Sequence, residues 1–211
     1  MDHTVCIAQQ PEADALLSRS ALALLTGALL DRHIPSEWAF AGPLTIARRL
    51  GWDDLDAQQI ADHSPPDFAA VLAARPAVHT CPALMARHLQ DMCRFLVARY
   101  DGRAATVWER AATGRQLFLR VNELPGFGRR KAQILVALLG KQYGVCPPGW
   151  REAAGPFGES GVFRSVADVT GPESLRHVRE TRQEERRTAK DQGLRASRTT
   201  TSRSGPARPL A

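Results

Sequence analysis

Strand-forming patterns are almost absent from this chain of 211 residues. No run alternates β-branched residues with polar ones, whereas apolar residues recur at spacings of three and four. This periodicity predicts an all-α fold. At 44% hydrophobic residues, the chain is able to bury a sizeable core.

Two further absences narrow the class of protein. No stretch of 18 or more apolar residues lacks a charge, and the N-terminal segment has neither the basic nor the apolar part of a signal peptide. We therefore expect a cytoplasmic protein without a membrane span. The four cysteines lie at least twelve positions apart, so no C-x-x-C spacing exists. We expect reduced, packed thiols, no metal site and no cofactor.

The positive charge is concentrated at the C-terminal end. Residues 176–211 contain ten lysines and arginines and four acidic residues, which accounts for the whole net charge of +6. We divide the chain into a helical domain over residues 1–170 and a basic polar tail over 171–211. Residues 176–190 are compatible with a polar helix, and the composition from Gln192 onward predicts disorder. Such a tail adds a nonspecific, salt-sensitive affinity for nucleic acid.

Caps and apolar spacings predict the helices of the domain. Ser20 caps a helix that is apolar nearly all round and should lie in the core, Pro43 marks a kink or a new start, and Gly51 ends a helix. The predicted helices cover residues 11–17, 21–31, 36–50, 56–61, 65–74, 82–100, 104–111, 116–122 and 129–141.

Residues 124–132 read LPGFGRRKA, and this segment carries the clearest functional signal. The proline prevents the preceding helix from continuing, the two glycines permit positive φ angles and close approach, and the leucine and phenylalanine should pin the turn to the core. The N–H groups of residues 127–130 should then face outward at the positive end of the next helix, beside three cations. That arrangement binds anions.

We therefore predict a helix-hairpin-helix, which clamps the DNA backbone without reading its sequence. The expected partner is double-stranded DNA, and the contact residues are Leu124, Pro125, Gly126, Phe127, Gly128, Arg129, Arg130 and Lys131. A plain turn between two helices, with arginines on an exposed face, is the alternative interpretation.

The pattern L-P-G-x-G, followed by basic residues, alanine and an apolar helix, resembles the HhH-GPD superfamily of base-excision DNA repair glycosylases, which includes endonuclease III. Two more segments resemble that family in the right order, LLTGALLDRHIPSEWAFAG and a long helix ending RYDG. The likeness covers about residues 20–146, and residues 140–156, GKQYGVCPPGWREAAGP, resemble an actinobacterial subgroup. The resemblance implies a glycosylase acting on a flipped damaged base, and it puts Arg32 and His33 where side chains fill the gap in the duplex.

The sequence departs from the family at both positions that carry its chemistry. The nucleophilic lysine is replaced by Arg130, which cannot form a Schiff base. Lys131 is rotated from it by about 100° and should point away from the site, so we expect no lyase activity. The family's aspartate position falls on Pro147 or Pro148. Three other carboxylates are candidates for stabilising a cationic sugar, although each also suits a cap or an exposed surface: Glu152, Asp31 and Asp168.

Trp150 is the candidate for stacking on an extruded base, although tryptophan more commonly packs in a core. Only Cys146 follows the hairpin, so the iron-sulfur cluster of some family members is not expected. We expect a monomeric, nucleoid-associated, monofunctional DNA glycosylase. The alternatives are a catalytically inactive module that binds DNA or senses lesions, and a helical scaffold for protein partners.

Overall fold

The computed structural model describes the backbone of residues 5–201 and the side chains of residues 5–188. Throughout that range the regular structure is helical, which confirms the all-α prediction. The α-helices are α1 Pro11–Arg19, α2 Ala21–Leu30, α3 Ser36–Leu50, α4 Ala57–Asp62, α5 Pro65–Ala73, α6 Pro82–Tyr100, α7 Thr106–Glu109, α8 Gly114–Asn122, α9 Arg129–Gln142, α10 Trp150–Ala154 and α11 Pro172–Thr201. Two short 3-10 turns cover Gly155–Phe157 and Val166–Asp168.

The predicted caps define the helix ends. The Ser20 hydroxyl accepts the N–H of Ala23 at 3.2 Å and starts α2, as expected of a serine N-cap. Gly51 ends α3 with a φ of +72°. Pro43 neither divides nor restarts α3, which runs unbroken across it. The predicted bounds of α3 and α6 agree with the structure, and each of the other predicted helices of the domain differs from it by one or two residues at one or both ends.

The core is built around α2, whose residues are buried from Leu22 to Leu30. Helix α3 packs closely on it, because a Cβ on Gly27 would lie 2.7 Å from the Phe40 ring. Helices α8 and α9 pack on each other and hold α10 against their outer face. The end of α2 and the start of α9 are thereby brought together, and the candidate site lies between them.

Helix α11 extends to Thr201, so the prediction of disorder from Gln192 onward is wrong as far as that residue. Its sequence is rich in good helix formers, and charge alternation supplies pairs one turn apart, such as Arg176 with Glu180 at 2.9 Å. Leu175 and Val178 pack with Val169 in a small separate cluster. Residues 202–211 of the predicted tail lie outside the described residues.

All four cysteines are free, but the expectation of packed thiols is wrong for Cys81 and Cys146. Only Cys93 is buried, and burial raises the pKa of its thiol to about 12, whereas Cys81 and Cys146 are exposed. Among residues 5–201, no single helix is long and apolar enough to cross a membrane, although α1 and α2 meet the criteria together as a pair bent by 117°.

Candidate nucleic-acid interface

Residues 124–131 form a tight hairpin anchored in the core. They comprise the turn after α8 and the first residues of α9. The side chains of Leu124 and Phe127 are buried, as the sequence predicts. The Phe127 N–H donates to the Leu124 carbonyl at 2.9 Å and closes the turn. That N–H is therefore used inside the hairpin and does not face outward, contrary to the expectation for residues 127–130.

The two hairpin glycines have different roles. Gly126 has a φ of +83°, and a Cβ there would lie 2.4 Å from Cδ1 of Leu29, so the fold requires glycine at this position. Gly128 has a φ of −112°, and no atom lies within 4 Å of a Cβ built on it. The prediction of a positive φ is wrong for Gly128. Neither its backbone angle nor its neighbours require glycine, and its outer side is open for close approach.

The start of α9 presents unsatisfied backbone donors. The first helical bond runs from the Ala132 N–H to the Gly128 carbonyl at 2.9 Å, and no side chain caps this end. Within the described part of the chain, the N–H groups of Gly128, Arg129 and Arg130 have no protein acceptor. Backbone donors at a helix N-terminus attract anions because they coincide with the positive end of the helix dipole.

The three hairpin cations lie in different surroundings. Arg129 is exposed, and no ion pair is found for it among the described side chains. The Arg130 guanidinium lies 5.0 Å from the centre of the Phe157 ring and 3.7 Å from the Glu185 carboxylate. Both guanidinium groups are therefore at the surface.

Lys131 does not point away from the site, as the helical rotation suggested, because its long side chain reaches back to α2. Its Nζ donates to the carbonyls of Ala28 and Leu29, each at 2.8 Å. These are carbonyls of the last turn of α2, which otherwise lack helical donors. Burial lowers the pKa of the Lys131 ammonium to about 8, with Arg32 adding to that effect and the Asp31 carboxylate opposing it.

Replacing Lys131 with methionine should lower the free energy of unfolding by about 2–4 kcal/mol, because two partly buried carbonyls lose a charged donor. Urea unfolding of the purified variant measures this. Arg129→Met is the matched control, since it removes an exposed cation from the same turn, and its effect should stay within about 0.5 kcal/mol. Equal effects of the two substitutions would show that the α2 contact contributes nothing to stability.

A cavity of about 650 Å³ lies between the end of α2, the hairpin, α9 and α11, and we call it the hairpin cavity. Its aliphatic floor includes Ile34, Leu135 and Leu138. It brings together eight of the predicted site residues, namely Asp31, Arg32, His33, Gly126, Gly128, Arg129, Arg130 and Lys131. Residues more than ninety positions apart in sequence therefore share one cavity.

Asp31 is the predicted carboxylate that reaches this cavity. It ends α2, and 15% of its side chain is exposed. Its Oδ1 accepts the Ser36 hydroxyl at 3.0 Å, and its Oδ2 lies 3.6 Å from the Arg182 guanidinium. The Ser36 oxygen in turn accepts Arg182 Nη1 at 2.8 Å. Asp31 thus lies in a polar network and keeps one edge toward the cavity.

The other two predicted carboxylates lie elsewhere. Asp168 is 5% exposed, pairs with Lys141 at 2.5 Å and accepts the N–H groups of Arg164 and Ser165 at 3.0 Å, so its oxygens serve as a cap and an ion-pair partner. Glu152 is exposed on α10 and does not line the hairpin cavity. A second cavity, of about 380 Å³, is lined by residues of α10 and by Asp168.

Trp150 and the two prolines before it are structural. The Trp150 ring packs on Gly140, where a Cβ would lie 2.4 Å from Cε3, and it lines the second cavity. The Arg151 guanidinium lies 4.3 Å from the centre of that ring. The carbonyl of Pro148 accepts the Gly114 N–H at 2.8 Å and fixes α10 to α8. Trp150 is therefore not brought to the hairpin cavity.

Sequence reasoning missed His79, Ser36 and Arg182. His79 is buried, and its Nδ1 accepts the Cys81 N–H at 2.9 Å, so Nε2 carries the hydrogen and donates to the Arg32 carbonyl at 2.8 Å. This bond fixes the turn in which His33 has a φ of +61°. No local motif marks His79 or Arg182, because each acts on a segment distant in sequence, and Ser36 was recognised only as a helix start although it bonds Asp31 five positions earlier.

No group of three or more His, Cys, Asp or Glu side chains that could hold a metal ion is found among the described residues. Comparison of the chain with protein-family models, with curated proteins and with solved structures finds no match.

Proposed function

We propose that this protein is a DNA-binding base-excision repair protein of the helix-hairpin-helix type. The hairpin holds the DNA backbone, and the hairpin cavity receives a nucleotide turned out of the duplex. One observation carries the proposal: the free N–H groups of Gly128 to Arg130 and the Asp31 carboxylate border the same cavity. A phosphate held at the hairpin therefore brings its sugar and base near a carboxylate.

The charge around the cavity supports this partner. Two carboxylates, Asp31 and Glu185, line it together with six cations, namely Arg32, Arg129, Arg130, Lys131, Arg182 and Arg186. The sequence before residue 176 is neutral as a whole. Four of the six cations belong to that neutral part of the chain, so positive charge is locally concentrated at the cavity, where it attracts a polyanion and is weakened by salt.

The chemistry proposed is hydrolysis of the glycosidic bond. Departure of the base leaves positive charge on the deoxyribose, and a carboxylate in a water-poor site stabilises that charge. Asp31 has the placement for this role, or for accepting the proton of the attacking water. Water adds at the sugar carbon, the bond to the base nitrogen breaks, and the base leaves with a proton. Ser36 holds the carboxylate in position.

Lyase chemistry is not expected. The Arg130 guanidinium cannot form a Schiff base, and the Lys131 amine is held by two carbonyls. Because the pKa of Lys131 is lowered to about 8, the fraction of neutral amine rises between pH 7 and 9. Borohydride reduction of the protein with abasic duplex at both pH values should yield no covalent adduct. An adduct that increases with pH, and that is lost in Lys131→Met, would instead identify this amine as a nucleophile.

The second candidate function is a catalytically inactive module that binds DNA or senses lesions. Two observations favour it. The family's aspartate position falls on Pro147 or Pro148, of which Pro148 accepts a backbone bond from Gly114, and Arg130 occupies the lysine position. Such a module binds duplex DNA with steep salt dependence and releases no base. A helical scaffold for protein partners is disfavoured for a different reason. Internal packing does not require a glycine at position 128, whose outer side is open.

A panel of end-labelled duplexes, each with one damaged or mismatched base, tests the proposal. The duplexes are incubated with protein and then treated with alkali, which breaks the strand at abasic sites. Strand cleavage at the altered position would support the glycosylase. Binding that salt removes, without cleavage of any duplex, would support the inactive module. Absence of both binding and cleavage would contradict the proposed function.

A further inference from the structure

Helix α11 forms one side of the hairpin cavity. Its side chains Arg182, Glu185 and Arg186 form part of the cavity lining. Glu185 lies 3.7 Å from Arg130, the cation that adjoins the free N–H groups of the hairpin. The same helix therefore borders the cavity and occupies the guanidinium that the proposed function assigns to a DNA phosphate.

The attachment of this helix changes along its length. Near its start, Leu175 and Val178 are buried against Val169. From residue 179 to residue 188, the part we call the cover segment, the side chains that reach the body of the protein do so through polar contacts: Arg179 to Glu37, Arg182 to Asp31 and Ser36, and Glu185 to Arg130. The side chains of Arg130 and Glu185 are 66% and 49% exposed. Exposed ion pairs are weak and are screened by salt.

We propose that the cover segment is a displaceable lid, which lies on the hairpin cavity until a DNA phosphate displaces Glu185 from Arg130. This inference rests on the proposed function. Phosphate and carboxylate compete for the same guanidinium, and phosphate brings further acceptors for the adjacent N–H groups, so DNA replaces the weaker partner. Only the first turns of the helix have apolar anchors, so the cover segment moves away without disturbing the core once Arg182 also leaves Asp31 and Ser36.

Displacement has a chemical consequence at Asp31. With the lid closed, Arg182 neutralises the Asp31 carboxylate and blocks the approach to it. With the lid open, the carboxylate loses its cation and faces the cavity, where the sugar of a bound nucleotide develops positive charge. DNA binding at the hairpin and activation of Asp31 are thus coupled through one helix.

Two matched substitutions test the lid. Glu185→Gln and Glu184→Gln each remove one negative charge from the same exposed stretch of α11, but only Glu185 pairs with Arg130. Both should tighten duplex binding slightly through net charge, and Glu185→Gln should tighten it by about threefold more, the size expected of one exposed ion pair. In an Arg130→Gln background the extra gain should disappear. Equal affinities of the two variants would overturn the lid while leaving the proposed function standing.

Spin labels provide a measurement that needs no DNA. One label is placed at Arg187→Cys on α11 and one at Arg115→Cys on α8, in a chain whose Cys6, Cys81 and Cys146 are serine. The distance distribution should be narrow at low salt and should broaden at about 1 M salt, where the Debye length is about 3 Å. A distribution unchanged by salt would overturn the lid, whether or not the protein binds DNA.

Discussion

Gly128→Val should weaken binding to every duplex DNA by about tenfold or more and leave the fold intact. A branched side chain on the open outer side of Gly128 keeps a phosphate from the N–H groups behind it. Loss of one charge-assisted hydrogen bond of about 1.5–3 kcal/mol corresponds to a roughly ten- to hundredfold change in Kd. Titration of labelled duplexes of several sequences at fixed salt measures the effect, which should be the same for all of them.

Gly126→Val is the companion variant. It should lose folding stability, whereas Gly128→Val should lose DNA affinity. The positive φ and the 2.4 Å approach of a Cβ to Leu29 predict a loss of folding stability before any effect on DNA is seen. Thermal unfolding of the two variants separates these outcomes. A Gly128→Val protein that folds and binds DNA as tightly as the parent chain would remove the hairpin from the binding surface and leave the basic tail as the binder.

The hairpin was predictable because its determinants are local. Pro125 ends α8, Leu124 and Phe127 are apolar within a polar turn, and a tight turn between helices needs glycine. The sequence did not show that the two glycines have different roles. The difference depends on Leu29, which the fold brings against Gly126 and not against Gly128.

The carboxylate was less predictable. Counting along the chain favoured Glu152 because it follows the expected position most closely, but α10 turns toward α8 and carries it away from the hairpin cavity. Asp31, almost a hundred positions before the hairpin, comes to the cavity because α2 ends beside α9. The long-range packing of α2 determines the contact between the end of α2 and α9. Sequence separation alone does not predict that contact.

Lys131 illustrates a second limit. Rotation by about 100° per residue places the Cα atoms correctly, but a lysine side chain spans several ångströms and follows the strongest acceptors within reach. The free carbonyls at the end of α2 supply them. Arg182 was missed for a related reason, because residues 176–190 suggested a polar helix with too few apolar residues to pack on the core, and nothing marked it as reaching the site.

Asp31→Asn should lower base release by about 10²–10³-fold, the loss typical of removing one preorganised electrostatic contact to a transition state. The amide keeps the shape of the side chain and its bond with Ser36, so the fold is expected to persist. Single-turnover cleavage of the duplex that the panel identifies measures the rate. Glu152→Gln is the control for a carboxylate outside the cavity and should leave the rate unchanged.

In the Asp31→Asn variant, affinity for DNA should rise while the rate of base release falls. Asp31→Asn removes a negative charge from a cationic cavity and also frees Arg182, which loosens the cover segment, so duplex binding should tighten while cleavage falls. Asp168→Asn is the contrasting variant. It removes the carboxylate that pairs with the largely buried Lys141, so it should destabilise the fold without a specific effect on DNA affinity or cleavage. Parallel losses of binding and cleavage in Asp31→Asn would indicate that this carboxylate organises the site and takes no part in the reaction.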